Sequence, residues 1–416
     1  MVQHGRSRQD HPDLPKDILQ SATDGVGLTP AYQPVVSLPD QRTVGFEALA
    51  RWPELGDPPP EAVFDYATES GQIDQLDQRC LRRISADITT ADLPAGALVL
   101  VNSEPAAALD GLQIPDPDSV QTVVELTERR LLEHPRELLA KVGELRARGF
   151  GIAIDDVGAD LGSLAVLDIL GPDIVKLHLH HLYSGSSEDQ ARLMSAVLAH
   201  IDRTGAELLV EGIETDVDLE RAVAFGATLG QGYLFGAPTS LASAAVSETW
   251  KPPTTTLKLE FFLGGTPFDI LSAVSAHRVI RKREMLELSR FVERQTTLCG
   301  DAPMMLTALQ QEKHFTERTR AMYEALSSTA PLVAVFALGM PAAPVAGVRG
   351  VDLTVDDPIC HEWIVVAVGT YTSCALVGRE IVSVEVAEPD RQFETIITYN
   401  RPLVLAAART MLQRMP

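Results

Sequence analysis

The chain has 416 residues, enough for two or three domains, with 45% apolar residues and a formal charge of −22 at pH 7. So acidic a field disfavours sequence-independent nucleic-acid binding, which needs a basic surface, and any phosphate ester would need local cations to approach. No apolar run reaches the ~18 residues of a membrane span, and the first residues, with Arg6, Arg8, Asp10 and Asp13, lack the apolar segment of a secretory signal. A cytoplasmic chain without nucleic-acid or membrane partners is expected. Cys80, Cys299, Cys360 and Cys374 form no CxxC pair and are expected as buried, reduced thiols.

In chain order, residues 1–26 are expected as a flexible tail. Residues 27–250 then repeat one pattern, a short apolar run followed by a helical stretch. The runs are TVGFEALA (43–50), ALVLVNSE (97–104), TVVELTE (122–128), GIAIDDVG (151–158), DIVKLHL (173–179) and ELLVEGIE (207–214), with a final GYLFG (232–236). Between them, residues 129–150 place Leu131, Leu138, Leu139, Val142 and Leu145 on one helical face. Residues 188–205 do the same, with Gly205 as a C-terminal stop. About seven or eight such repeats predict a mostly parallel (β/α)₈ TIM-like barrel. KPPTTT (251–256) reads as a stiff linker, and residues 257–416 as a smaller α/β domain.

The polar residues at the run ends carry the chemistry. They are Glu47, Asn102, Glu125 with Glu128, Asp155 with Asp156, Lys176, and Glu211 with Glu214, while Gln231 precedes the last run. In a parallel barrel the strand C-termini meet at one mouth, where catalytic groups sit. Crowded carboxylates either take up protons or bind cations, and all-oxygen ligands suit Mg²⁺ or Mn²⁺. Asp155-Asp156 could serve two metals, the usual apparatus for in-line attack on a phosphodiester. Lys176 could position the attacking water or stabilise a developing charge. A single Glu past a strand is ordinarily a cap or a solvated residue, and Asp-Asp-Val-Gly is ordinarily a turn. Recurrence in register along the whole unit is what favours the metal-site reading.

FEALARW (46–52) resembles the signature of the EAL phosphodiesterases. The other motifs of that family follow in order as YQPVVSL (32–38), VNSEP (101–105), ELTE (125–128), DDVG (155–158), IVKL (174–177), VEGIET (210–215) and GQGYLFGAP (230–238). The resemblance implies hydrolysis of cyclic di-GMP to linear pGpG with two Mg²⁺ or Mn²⁺ ions, in a protein that is often a homodimer. It implies Glu47, Asn102, Glu125 and Asp155 as ligands of the first metal, and Asp155, Asp156 and Glu211 on the second. Lys176, Gln231, Glu211 and Glu128 are implied as catalytic, with Lys176 and Gln231 handling the water and Glu128 steadying a loop. Gln33, Leu49 and Arg51 are implied at the substrate, Arg51 as a phosphate contact.

The loop 155–164, DDVGADLGSL, departs from the family's DDFGTGYSSL at Val157, Ala159, Asp160, Leu161 and Gly162, and His178 replaces an acidic residue. The metal ligands are untouched, so these changes bear on turnover, loop order and dimer coupling. They keep open an alternative, a catalytically impaired receptor for cyclic di-GMP. A second alternative is a scaffold that has lost the nucleotide. His178 and His180 would share a face if their strand continued, although a solvated or satisfied histidine cluster is the plainer expectation.

In the C-terminal region, residues 277–295 predict one amphipathic helix, 331–338 and 362–369 buried strands, and 401–413 a closing helix. Arg281, Lys282 and Arg283 read as a solvated basic face. Cys360, His361 and Cys374 match no standard metal spacing. The stretches 285–293, 361–380 and 391–408 resemble the DICT domain, which implies a sensory module with an unknown ligand or protein partner.

Overall fold

The structure, a computed structural model, describes residues 14–91, 93–104, 107–113, 120–127, 132–158, 164, 167–241, 246–253, 265–298, 301, 303–381 and 387–416. The chain packs as two compact units. The first comprises Met1–Thr127, Leu145–Ala153 and Leu208–Pro252; the second comprises Glu128–Glu144, Ile154–Glu207 and Pro253–Pro416. No helix of the described residues is long and apolar enough to cross a membrane.

Eight strands close into a barrel in sequence order: β1 (Thr29–Ser37), β2 (Arg42–Arg51), β3 (Ala97–Asn102), β4 (Val120–Thr127), β5 (Gly151–Asp155), β6 (Ile174–His178), β7 (Glu207–Glu211) and β8 (Leu229–Gly230). The repeat count therefore predicts the architecture correctly, but the strand set differs at both ends. β1, absent from the series of apolar runs, runs antiparallel to β2 and β8. The connection between β1 and β2 is too short for a crossover, so the chain turns back as a hairpin, with Gln41 at φ 51°. The run at 232–236 is no strand, because the chain turns immediately after β8. Gly232 there sits at φ 154°, and a Cβ on it would lie 2.1 Å from the Ile213 carbonyl oxygen.

Part of the expected tail is helical. α1 (Lys16–Thr23) is held by long-range bonds: Trp52 Nε1 donates to the Ala22 carbonyl at 3.1 Å and Arg79 Nη1 to the Thr23 carbonyl at 2.7 Å. Trp52 is fully buried in the cluster with Ala22, Val63, Ala67 and Leu76, which α2 (Pro60–Glu69) and α3 (Ile73–Thr90) complete. A polar 26-residue stretch shows no periodicity long enough to announce one short helix; the acceptors are its own carbonyls and the donors come from elsewhere.

α4 (Pro135–Ala147) begins later than the pattern from residue 129 suggests, with proline in its first turn, where a missing N–H does no harm. Leu138, Leu139, Val142 and Leu145 are buried as expected, and Leu131 lies outside the described residues. α5 is the short turn Leu167–Leu170. α6 (Ser187–Thr204) starts in a capping box of Ser186 and Asp189 and stops at Gly205, in the left-handed conformation at φ 76°. Ser186→Ala is expected to destabilise the chain by about 1 kcal/mol in denaturant titration, with no change in native spectra. α7 (Asp216–Ala224) carries a second box, Thr215 with Asp218.

Within the second unit lies a seven-stranded sheet, in the order β12-β11-β10-β13-β14-β15-β9. After α8 (Pro267–Ser272), its elements are β9 (Arg278–Arg281), α9 (Lys282–Leu298), β10 (Met304–Gln311), α10 (Glu317–Leu326), β11 (Val333–Leu338), β12 (Val348–Asp352), β13 (Glu362–Val368), β14 (Ser373–Ile381), β15 (Gln392–Thr398) and α11 (Arg401–Leu412). β10, β11 and β12 are mutually parallel; the remaining neighbours are antiparallel. The helix expected from 277 starts only at Lys282, because Arg278–Arg281 extend and pair with β15 at the sheet edge. Met285, Val292, Tyr323 and Leu326 from α9 and α10 share one apolar cluster with Trp363, Val365 and Ala367 of β13. Ile364, Val366 and Val368 are equally buried, and α11 packs on β13 and β14. The central strand is thus covered on both faces, which explains its unbroken apolar run.

An ionic knot ties α11 to α5 and α6. Asp168 is 2% exposed and accepts from His200 Nδ1, from Arg203 Nη2 at 2.9 Å and from Arg401 Nε. Arg409 donates from Nε to the Ile169 carbonyl at 2.7 Å and from Nη2 to the Asp168 carbonyl at 2.9 Å. Burial alone would raise the Asp168 carboxyl, but His200, Arg401 and Arg203 outweigh it and hold the group well below the usual carboxylate range.

Cys80, Cys360 and Cys374 are free and buried, as expected; Cys299 lies outside the described residues. Burial pushes the Cys80 thiol up to about 12 and Cys374 up to about 11, so both stay protonated at neutral pH.

Candidate active site

Five of the eight barrel strands, β3 to β7, deliver a polar residue at or near the carboxyl end. Asn102, Asp155 and Glu211 are the last residues of β3, β5 and β7, while Glu125 and Lys176 stand two residues inside β4 and β6. Glu47 lies deeper in β2, and Leu49 and Arg51 follow it on the same face, two and four residues on. Register brings neighbours level: Gln33 pairs with Glu47 across the hairpin, and Asn102 pairs with Glu125.

In the first unit these residues form a hydrogen-bonded set around Glu47, which is 6% exposed. Asn102 Nδ2 donates to its Oε1 at 3.1 Å and Gln231 Nε2 to its Oε2 at 2.7 Å. Gln231 Nε2 also reaches Gln33 Oε1 at 3.1 Å. Two amides donating to one carboxylate fix its rotamer. Gln231 is itself anchored through its backbone, donating N–H to Val210 and accepting from Ile213. Glu125 is also buried. Arg51, half-buried at the strand end, donates to its neighbour Ala50's carbonyl at 2.8 Å.

In the second unit Lys176 is 1% exposed, with Nζ 3.5 Å from Asp155 Oδ1. The Val157 N–H donates to the Lys176 carbonyl at 3.2 Å, pinning the chain just after the acidic pair. Asp156 adopts φ 56°, a left-handed conformation that Asp tolerates better than most residues, and its N–H donates to Asp155 Oδ1 at 2.8 Å. Gly158 follows at φ 95°, where a Cβ would meet the Leu193 methyl groups at 2.8 Å. With the backbone left-handed at Asp156, the two carboxylates meet different partners, Asp155 facing Lys176 and Asp156 facing His181.

The histidine segment behaves differently from a continued strand. β6 stops at His178, and Leu179–Leu182 form a 3₁₀ turn, so 178 and 180 do not alternate onto one face. His178 accepts the His180 N–H at Nδ1, 3.1 Å away; burial, with His181 and His180 beside it, lowers its tendency to protonate. His181 Nε2 meets Asp156 Oδ1 at 2.9 Å. His181 is therefore the site residue that sequence spacing misses: only the tight turn brings it back to Asp156. Glu128 and the altered positions Ala159, Asp160, Leu161 and Gly162 lie outside the described residues.

The donor set fits a hard divalent cation. It is all oxygen, Glu47 and Glu125 are buried carboxylates, and Gln231 Oε1 is buried without a hydrogen-bond donor beside Glu47. As the side chains stand, no three His, Cys, Asp or Glu among the described residues close around an ion. Glu47 is turned to its amides, Asp155 to Lys176 and Asp156 to His181.

Two family models match the sequence: the EAL domain over residues 16–238, and the sensory domain in diguanylate cyclases and two-component systems (DICT) over 270–380. The probable cyclic di-GMP phosphodiesterase PdeG of Escherichia coli K12 is 29% identical over 240 residues, which is 54% of this chain and 47% of that protein. The cyclic di-GMP phosphodiesterase RocR of Pseudomonas aeruginosa is 29% identical over 265 residues, 57% and 66% respectively. This chain therefore spans about half to two thirds of the length of these relatives. A solved structure of Klebsiella pneumoniae BlrP1 with calcium and cyclic di-GMP is 25% identical, covers 56% of this chain and 59% of that one, and superposes with a TM-score of 0.46. Because the EAL model spans more than half of its 416 residues, the chain belongs to the EAL domain family.

Proposed function

We propose that this protein is a metal-dependent phosphodiesterase that hydrolyses cyclic di-GMP to linear pGpG. The observation that carries the proposal is the buried Glu47 carboxylate, held by Asn102 and Gln231 within a barrel whose other strand ends supply Glu125, Asp155 and Glu211. Membership of the EAL family supports it, as do PdeG and RocR, both named for that reaction.

In this proposal Glu47, Asn102, Glu125 and Asp155 hold one Mg²⁺ or Mn²⁺, and Asp155, Asp156 and Glu211 a second. When bound, such ions lower the pKa of a coordinated water and neutralise phosphate charge. The chain's own residues do the rest. Lys176, buried at the end of β6, orients the attacking water and stabilises charge on the phosphate oxygens. Gln231 fixes Glu47 and offers its carbonyl oxygen to that water. Arg51 holds a phosphate, and Gln33 and Leu49 flank the nucleotide. His181 positions Asp156 through its hydrogen bond. Glu128 steadies the adjoining loop. The region from 257 to 416 acts as the sensory partner and the protein works as a homodimer, with residues 27–250 as the catalytic domain and 251–256 as linker.

Incubation of the purified protein with cyclic di-GMP and Mg²⁺ or Mn²⁺, followed by chromatography, should yield pGpG, and a Glu47→Ala control should yield none. Nucleotide binding without product would favour the receptor, the reading that the altered positions 157–162 keep open. His181→Ala is expected to weaken metal-dependent turnover by roughly 10–100-fold, read as a rise in the Mn²⁺ concentration needed for half-maximal rate.

A further inference from the structure

The second unit holds a cavity of about 320 Å³ between α9, α10, the end of β10 and Trp363 of β13. That volume is at the lower end of small-molecule sites. Its apolar wall is Leu286, Leu309, Met322 and Trp363. Three polar atoms on its lining residues are buried and lack hydrogen-bond partners: Trp363 Nε1, Gln310 Nε2 and His314 Nδ1. Trp363 is 8% exposed, so its N–H is shielded from water as well as unpaired. The indole and amide nitrogens can only donate, and a buried donor left unsatisfied is costly, so an acceptor that reached them would relieve that cost.

The charges point the same way. Lys282, Arg290, Arg294, Lys313 and Arg318 line the cavity. Lys282 pairs with Glu388 and Arg290 with Glu287, whereas Arg294, Lys313 and Arg318 have no ion pair among the described residues. The acid on this wall, Glu293, accepts from Tyr323 at 3.0 Å and Ser289 at 3.2 Å, and burial pushes its carboxyl upward, towards the neutral form. In a chain of net charge −22 this is a local reversal of sign.

We propose that this cavity is a ligand site for a small organic anion with a flat apolar body, its rings against Trp363 and Met322 and its anionic end towards Arg294, Lys313 and Arg318. The proposal is independent of the activity assigned to the barrel. 8-Anilinonaphthalene-1-sulfonate combines fused rings with a fixed negative charge; N-phenyl-1-naphthylamine has the same rings without it. The full chain should bind the sulfonate saturably at one site by calorimetric titration, with quenching of tryptophan emission that Trp363→Phe diminishes. R294E/K313E/R318E, confined to exposed positions, should weaken the sulfonate by about tenfold or more and leave the neutral amine unchanged. Met322→Trp, which fills the cavity, should remove both probes from the site. Equal sulfonate affinity in the wild type and the charge-reversed chain, with matching circular dichroism, would overturn the proposal, as would binding without saturation.

Discussion

Glu47→Gln is expected to lower kcat/KM for cyclic di-GMP by at least about a thousandfold, equivalent to about 4 kcal/mol of transition-state stabilisation. The substitution keeps size and shape but removes the charge. It also sets an amide against two amide donors, Asn102 Nδ2 and Gln231 Nε2, so one of those bonds must become a clash of N–H groups or be given up. Stability should move much less than activity, because an uncharged group is easier to bury than a carboxylate. Turnover and thermal midpoint measured on the same preparation separate the two. Retention of more than a tenth of the activity with an unchanged midpoint would remove Glu47 from the proposed metal-ligand set. A loss of activity that tracks a loss of fold would make its role structural.

The largest stability effect is expected at Asp168→Asn. The wild-type carboxylate serves His200, Arg203 and Arg401 at once and is almost fully buried. Removing its charge leaves the partly buried guanidiniums of Arg203 and Arg401 without their anion, a change that usually destabilises by about 3–5 kcal/mol, or roughly 10 °C in midpoint. Arg401 and Arg409 are both pushed downward by burial, Arg409 to about 10, so neither gains from losing its anion. The pH dependence has a definite sign. Because the folded-state pKa of Asp168 is depressed, its contribution is fully present above the ordinary Asp value of about 3.9 and is lost as pH falls through the lower folded value. The wild type should therefore lose stability below about pH 4, and the variant should lose less over the same range. Thermal midpoints of both proteins at pH 7 and pH 3.5 test this. An identical acid slope in the two would place the acid sensitivity elsewhere.

Much of the candidate site is legible in the amino-acid sequence. A strand that ends in a ligand-capable residue, repeated through the first 250 residues, predicts both a barrel and the identity of Glu47, Asn102, Glu125, Asp155, Lys176 and Glu211 as its polar ends. The reason is local: strand periodicity and the polar residue that breaks it lie within one short window. The C-terminal sheet is partly legible for the same reason. The unbroken apolar run of β13 announces a strand buried on both faces, while β10, β14 and β15 carry weaker patterns that sequence inspection passes over.

What depends on distant partners is not legible there. β1 is antiparallel because a four-residue connection can only turn back, yet whether that hairpin closes the barrel depends on β8, nearly 200 residues later. His181 reaches Asp156 because a 3₁₀ turn follows β6 instead of further strand. Arg401 finds Asp168 across 233 positions of sequence, and no periodicity encodes that pairing. The sequence alone therefore determined the family, the barrel and the chemical types at its strand ends, since these follow from short-range pattern and residue identity. The tertiary structure alone decided which carboxylate oxygen meets which donor, where the buried charges are compensated and where a ligand-sized cavity opens, since each of these requires two remote segments to share one place.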